Sequence, residues 1–143
     1  MADYFQNWLN VGKKLTKPPK IFRVNWFLTG DDGKFVWPGF GENMRVLEWV
    51  IARCRGENGG RKTPLGCLPG PESLDLDGLS LTRAQLDLLF EVDREGWLET
   101  AQKQTEFFSK FGDRIPRELL NEQQALIQRL ESWKSVPHPL THP

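Results

Sequence analysis

Residues 21–43 read IFRVNWFLTGDDGKFVWPGFGEN, and this stretch decides the fold that the sequence predicts. Most of residues 21–27 are aromatic or β-branched, a composition that favours a β-strand. Residues 30–33 supply turn-forming Gly and Asp, so residues 34–37 predict the returning strand of a hairpin. Pro38 lacks a backbone donor and ends that strand. We therefore expect an aromatic β-hairpin, followed by a loop in which Phe40 lies between two glycines.

Helical patterns lie on both sides of this stretch. Apolar residues at helical spacing predict a short helix over residues 3–15, which the two prolines at 18 and 19 separate from the hairpin. Asn43 is suited to cap a second helix. That helix is expected to bury one face, formed by Met44, Leu47, Val50, Ile51 and Cys54.

Three further helices are predicted in the second half of the chain. Thr82 and Asp93 are expected to cap the first two, and Pro116 is expected to begin the third. Residues 61–81 contain three prolines and predict an irregular, extended connection. The predicted fold class is therefore α+β, with the aromatic hairpin and loop packed against several α-helices.

Length and charge narrow the classes of function. A chain of 143 residues fits one domain, which we place at residues 1–134, with a disordered Pro-rich tail at 135–143. Lys plus Arg and Asp plus Glu both total 19, a balance that argues against nucleic-acid and anionic-membrane partners. The sequence shows neither an apolar run of membrane-spanning length nor a signal-peptide pattern, so we expect a soluble cytoplasmic protein.

Metal and redox chemistry have little support in the sequence. Cys54 and Cys67 lack the CxxC spacing of a zinc site, and His138 and His142 lie in the Pro-rich tail. Two reduced thiols are favoured over a disulfide. The sequence has no GxxxxGKS/T phosphate loop and no GxSxG motif, and the adjacent acids of residues 31–32 are typical of a turn.

The residues that point to a ligand are the aromatic rings of the predicted hairpin. Alternation along a strand would place neighbouring rings on opposite faces, so some of them must lie at a surface or in a cleft. Such rings can stack on a flat base, and an amide such as that of Asn43 can hydrogen-bond the base edge. The cluster consists of Trp26, Phe27, Phe35, Trp37 and Phe40.

Composition alone leaves three interpretations of this cluster open. Large aromatic residues are usually buried, so the rings can belong to the core of a folded chain without a ligand, with Asn43 a plain N-cap. Two Trp residues near a proline also resemble, loosely, the grooves of modules that bind Pro-rich peptides. The third interpretation is a nucleotide-base pocket.

The ordered string of residues 21–27, 33–43 and 45–49 closely resembles the guanine-binding segment of GTP-dependent phosphoenolpyruvate carboxykinases. Weaker resemblance extends over residues 3–134. The resemblance implies that the chain folds as part of the carboxy-terminal domain of this family. It also implies that Phe27, Phe35 and Phe40 surround guanine, that Asn43 contacts the base edge, and that Trp26 and Trp37 lie close by.

The family is a gluconeogenic lyase that converts oxaloacetate and GTP into phosphoenolpyruvate, GDP and carbon dioxide, using Mn²⁺ and Mg²⁺. By this resemblance the expected ligands are GTP and GDP, and the expected partner is the amino-terminal part of the enzyme. The family's phosphate loop, metal ligands, oxaloacetate-binding arginines and lid have no counterpart in this sequence. We therefore expect this fragment alone not to turn over substrate. Leu28 and Thr29 stand where family members often carry basic residues, which implies weaker binding of GTP.

Overall fold

A computed structural model describes residues 1–57, 60–70 and 73–134 of the chain. The described residues form two compact units, one built from residues 1–19 and 93–134 and the other from residues 20–92. The single domain expected at residues 1–134 stays a prediction. The predicted tail at 135–143 lies outside the described residues.

The first unit contains three helices. They are α1 (Ala2–Lys14), α4 (Arg94–Ser109) and α5 (Arg117–Ser132), with a short 3-10 turn, Gly112–Arg114, between the last two. The second unit contains α2 (Asn43–Arg55), strands β1 (Arg61–Thr63) and β2 (Gly66–Leu68), and α3 (Arg83–Phe90), with a 3-10 turn, Phe40–Glu42, before α2. No helix among the described residues is both long and apolar enough to cross a bilayer.

In the first unit α4 packs against α5, and Ala101 and Leu130 are fully buried. Gln123 is the buried polar residue of α5, and its amide nitrogen donates to the Ala101 carbonyl at 2.6 Å and to the Thr105 hydroxyl at 2.9 Å. These bonds satisfy a group whose burial would otherwise be costly.

Helix α1 belongs to the same unit, and an aromatic contact and an ion pair join it to the rest of that unit. The rings of Phe5 and Phe111 meet edge to face at 5.9 Å. Lys13 forms an ion pair with Glu118 of α5 at 2.7 Å.

The second unit has a small hydrophobic core formed by Trp49, Leu74 and Phe90. Trp49 of α2 meets Phe22 edge to face at 5.9 Å, which anchors the segment before the turn at residues 30–33 onto the helix. Partly buried residues complete this core: Val46, Val50, Leu76, Leu86 and Leu89.

The helix boundaries agree closely with the predicted ones. Thr82 caps α3 through a capping box with Gln85, and the Asp93 carboxylate caps α4 by accepting from the Gly96 backbone N–H at 2.9 Å. Pro116 was expected to be the first residue of α5 and instead lies at its N-cap, one position before the first helical residue, Arg117. The class α+β is confirmed, because the helices accompany an antiparallel strand pair.

The position of the strands was predicted wrongly. Residues 21–27 form no strand, and residues 28–36 contain one isolated bridge, between Thr29 and Phe35. The Asn25 side chain accepts from the Phe27 backbone N–H at 3.2 Å, a local turn that competes with strand pairing. The aromatic segment therefore forms a turn with two aligned arms rather than a regular hairpin.

The regular hairpin lies instead in the stretch predicted to be irregular. Strands β1 and β2 pair in antiparallel register, with Thr63 opposite Gly66 across a turn at Pro64 and Leu65. The Thr63 hydroxyl closes this turn, since it donates to the Gly66 carbonyl at 2.9 Å and accepts from the Leu65 N–H at 3.2 Å. A proline that opens a tight turn is compatible with a hairpin, although a proline within a strand is not.

Candidate functional site

All six predicted site residues lie in the second unit, between Trp26 and Asn43. The turn that carries the first of them is held by backbone bonds from Val36 N–H to the Leu28 carbonyl at 2.8 Å and from Gly30 N–H to the Lys34 carbonyl at 2.9 Å. Asp32 accepts from the Lys34 N–H at 3.0 Å, so this acid has the turn-forming role expected of it.

The rings of this segment separate into an inner and an outer pair. Trp37 is buried, Trp26 is half-buried, and the two indoles lie 6.3 Å apart with a tilt of 47°. Phe27 and Phe35 are exposed, and their rings meet edge to face at 5.6 Å. Alternation along a regular strand would place Phe35 and Trp37 on one face, but Phe35 is exposed and Trp37 is buried, because the segment is not a regular strand.

Phe40 is the most exposed of the phenylalanines, with 91% of its surface accessible. It begins the 3-10 turn before α2 and follows Gly39, whose φ of 116° lies in a region that favours glycine. Phe27 and Phe35 are 71% and 60% exposed. Three solvent-facing phenylalanines in one short segment are more typical of a ligand surface than of a core.

Asn43 does not cap α2 as predicted. Glu42 is the N-cap residue, and Asn43 is the first residue of the helix. The Asn43 side-chain oxygen instead accepts a hydrogen bond from the indole Nε1–H of Trp37 at 2.9 Å. The amide is therefore linked to the inner aromatic pair.

Arg45, which was not among the predicted site residues, fixes the turn preceding Asn43. Its Nε donates to the Glu42 carboxylate at 2.6 Å, and its Nη1 lies 3.3 Å from the Asp75 carboxylate and donates to the Asp75 carbonyl at 3.1 Å. The hydrogen bond that Arg45 donates to Glu42 raises the pKa of Arg45. Desolvation opposes this shift, and the charges of Glu42 and Asp75 reinforce it. The sequence does contain a signal for this ion pair, because Glu42 and Arg45 lie three residues apart at the start of a helix.

Groups that could hold a metal are absent from this site. Within residues 1–57, 60–70 and 73–134, no cluster of three or more His, Cys, Asp or Glu side chains has the geometry to ligate an ion. Cys54 and Cys67 are free and exposed. The site therefore offers aromatic faces and one oriented amide, which suit binding of a flat polar ring.

Comparison with known proteins gives this geometry a context. The profile of a family described as the phosphoenolpyruvate carboxykinase C-terminal P-loop domain matches residues 1–129. A protein named phosphoenolpyruvate carboxykinase [GTP] from Neocallimastix frontalis is 44% identical over 135 residues. Proteins of the same name from Chlamydia muridarum and Anaeromyxobacter dehalogenans strain 2CP-1 are 44% and 38% identical.

These matches cover nearly all of the chain but a small part of each relative. They span 92% of the chain for the first two relatives and 94% for the third. The same matches span only 22% to 23% of the relatives' own lengths.

Proposed function

Because the chain belongs to the GTP-dependent phosphoenolpyruvate carboxykinase family, as its carboxy-terminal part, we propose that it supplies the guanine pocket of that enzyme. The observation that carries the proposal is three exposed phenylalanines in one short segment, together with an Asn43 amide that Trp37 holds through a hydrogen bond. Phe27, Phe35 and Phe40 would enclose the base, and Asn43 would bond its edge. Trp26 and Trp37 would support the pocket from beneath.

The energetics of such a pocket are of the right order for a nucleotide. Stacking of a base on an aromatic side chain contributes about 1–3 kcal/mol per base. Stacking alone does not distinguish guanine from adenine, so the polar atoms at the base edge must provide that choice. Phe27, Phe35 and Phe40 supply the stacking surface, and Asn43 supplies the edge contact.

The reaction of the whole enzyme needs groups beyond this pocket. Conversion of oxaloacetate and GTP into phosphoenolpyruvate, GDP and carbon dioxide includes a phosphoryl transfer, which depends on metal ions and cations around the phosphates. The described residues offer no metal-binding cluster. We therefore propose that Mn²⁺ and Mg²⁺, when they take part, bind to the amino-terminal part of the enzyme, and that the two parts act together.

The alternative of a groove for Pro-rich peptides is not favoured. No feature of the site supports it over the family assignment, and the indole N–H of Trp37, which such grooves offer to peptide carbonyls, is bonded to Asn43.

Nucleotide titration of the full 143-residue chain tests the proposal. We expect GDP and GTP, but not ATP, to quench the fluorescence of Trp26 and Trp37 saturably. Phe40→Ala should weaken GDP binding about fivefold or more, the lower end of one stacking contact. Ile21→Ala is a matched control, since Ile21 is 92% exposed in the same unit and lies outside the proposed pocket. Equal responses to GDP and ATP, or none from a folded chain, would refute the proposal.

A further inference from the structure

The bond between Trp37 and Asn43 points to a specific role for the buried indole. We propose that Trp37 is a positioning residue for nucleotide specificity, an inference that rests on the proposed guanine pocket. Its N–H holds the oxygen of the Asn43 amide, so that the amide NH₂ group faces O6 of guanine. This orientation favours guanine over adenine.

The Asn43 amide has one allowed orientation toward Trp37. An indole N–H is a donor only, so it pairs with the oxygen of a carboxamide and never with its NH₂ group. Trp37 is 6% exposed, and the distance from its Nε1 to Asn43 Oδ1 is 2.9 Å. A flipped amide would set two donors against each other and leave a buried N–H without a partner.

The tryptophan itself is also fixed. The Trp37 ring lies against the half-buried ring of Trp26, and Val36 beside it is buried. Asn43 is fixed from the other side, because its backbone begins α2 and Arg45 in the same turn is bound to Glu42 and Asp75. Both ends of the hydrogen bond therefore lie on an ordered framework, as a specificity contact requires.

At the base edge, guanine presents the acceptor O6 at the position where adenine presents a donor, its N6 amino group. An amide NH₂ attracts the first and repels the second, and the unpaired donors add to the cost of binding adenine. The opposite orientation would present an oxygen, which accepts equally well from adenine N6 and from guanine N1. Only the orientation that Trp37 imposes excludes adenine.

The Trp37→Phe variant tests this role, because it keeps an aromatic ring in the core and removes the N–H. Calorimetric titration with GDP, IDP, ADP and 2-aminopurine riboside diphosphate reports the contact to O6, which the last two ligands lack. We expect the wild-type chain to prefer GDP and IDP. In the variant we expect GDP affinity to fall about 3- to 10-fold, the worth of one neutral hydrogen bond, with little change for ADP. Trp133→Phe, in the other unit, is the matched control.

Asn43→Asp provides a test that does not disturb the inner aromatic pair, since a carboxylate oxygen still accepts from Trp37. If the NH₂ group faces O6, this variant presents an oxygen to O6 and should bind 2,6-diaminopurine riboside diphosphate better than GDP. Retained or improved GDP binding by Asn43→Asp would overturn the inference, because the oxygen would then already face the base.

The two proposals fail in different ways. If Trp37→Phe folds and keeps the wild-type ratio of GDP to ADP affinity while Asn43→Ala loses it, the guanine pocket stands and the role of Trp37 is refuted. If the wild-type chain folds and shows no preference for guanine, the pocket itself is refuted, and the inference with it.

Discussion

The ion pair between Lys13 and Glu118 joins two helices of the first unit through exposed side chains. The two charged atoms lie 2.7 Å apart, and the side chains are 61% and 44% exposed. The hydrogen bond that Lys13 donates lowers the pKa of Glu118, and a backbone hydrogen bond and the charge of Lys13 act in the same direction. Desolvation opposes them. Solvent screens such a pair, so its contribution to stability is small.

The direction of its pH dependence follows from this lowered pKa. A carboxylate whose pKa is lower in the folded state stabilises the fold above its unfolded pKa, and loses that effect as the pH falls through the folded value. We expect Lys13→Gln to lower the melting temperature at neutral pH, and the difference from wild type to shrink in acid. Thermal unfolding followed by circular dichroism across this range measures it. Lys103→Gln, which removes the same charge within α4, is the control, and a difference that persists in acid would contradict the assignment.

At the residue scale, sequence reasoning succeeded where a residue acts on its own neighbours. The caps Thr82 and Asp93 bond backbone groups three residues away, so local spacing sufficed to predict them. Asn43 was expected to act in the same way and does not. Its partner is the indole of Trp37, and that contact depends on how the chain turns at Pro38 and Gly39, which residue type alone does not specify.

At the scale of an element, helix α2 buries a face that shares only Val50 with the predicted one. Apolar residues lie almost all round this helix, and the large ring of Trp49 takes the buried position, together with Val46 and Val50. Of the predicted face, Met44, Leu47, Ile51 and Cys54 are exposed. The spacing of apolar residues is compatible with burial of either face of α2. The face that carries Trp49 is the buried one, because an indole buries more area than the other side chains.

Substitutions on the two faces should differ sharply in effect. Trp49→Ala removes the centre of the core and should lower the free energy of unfolding by about 3–5 kcal/mol. Leu47→Gln changes an exposed position of the same helix and should alter it by less than about 0.5 kcal/mol. Urea unfolding followed by circular dichroism compares the two. A loss from Leu47→Gln as large as that from Trp49→Ala would mean that the predicted face is the buried one.

The strands show the same limit of local reasoning. β-propensity measures how well a side chain fits a pleated, half-buried surface, and Ile21 and Phe27 find no such surface, being 92% and 71% exposed. The short strands β1 and β2 carry little propensity, and the tight turn at Pro64 and Leu65 with its Thr63 hydroxyl bonds pairs them. Turn chemistry therefore decided where the hairpin formed.

For the whole molecule, the division into two units was not predicted. Among the described residues, one unit takes those between 20 and 92 and contains the core around Trp49. The other combines residues from both ends of the chain, 1–19 and 93–134. Chain length carries no information on which segments pack together, so it could not indicate these units.

The division into two units predicts which helices lose protection from hydrogen exchange when one core is disrupted. We expect Trp49→Ala to accelerate amide hydrogen exchange in α2 and α3 while α4 and α5 keep their protection, because contacts within each unit determine local opening. The reciprocal variant, Leu130→Ala, should affect α4 and α5 and spare α2. Hydrogen exchange read by mass spectrometry compares them. Uniform acceleration across both units in either variant would show that the chain unfolds as a single cooperative unit.

The family was predictable from the chain because its signature is a long ordered string, residues 21–49, and the family profile confirms that assignment. The roles of Phe27, Phe35, Phe40, Trp26, Trp37 and Asn43 toward guanine remain predictions. Their arrangement as an outer phenylalanine pair, an inner tryptophan pair and a bonded amide comes from the structure.

The three exposed phenylalanine rings also carry a thermodynamic consequence. Apolar surface in contact with water raises the heat capacity of the free chain, and covering that surface with a ligand lowers it. Closure of Phe27, Phe35 and Phe40 on a base should therefore make the binding enthalpy of GDP more exothermic as temperature rises, and Phe40→Ala should flatten that slope. A ligand held by its polar edge alone would leave the enthalpy nearly independent of temperature, since the rings would stay in water.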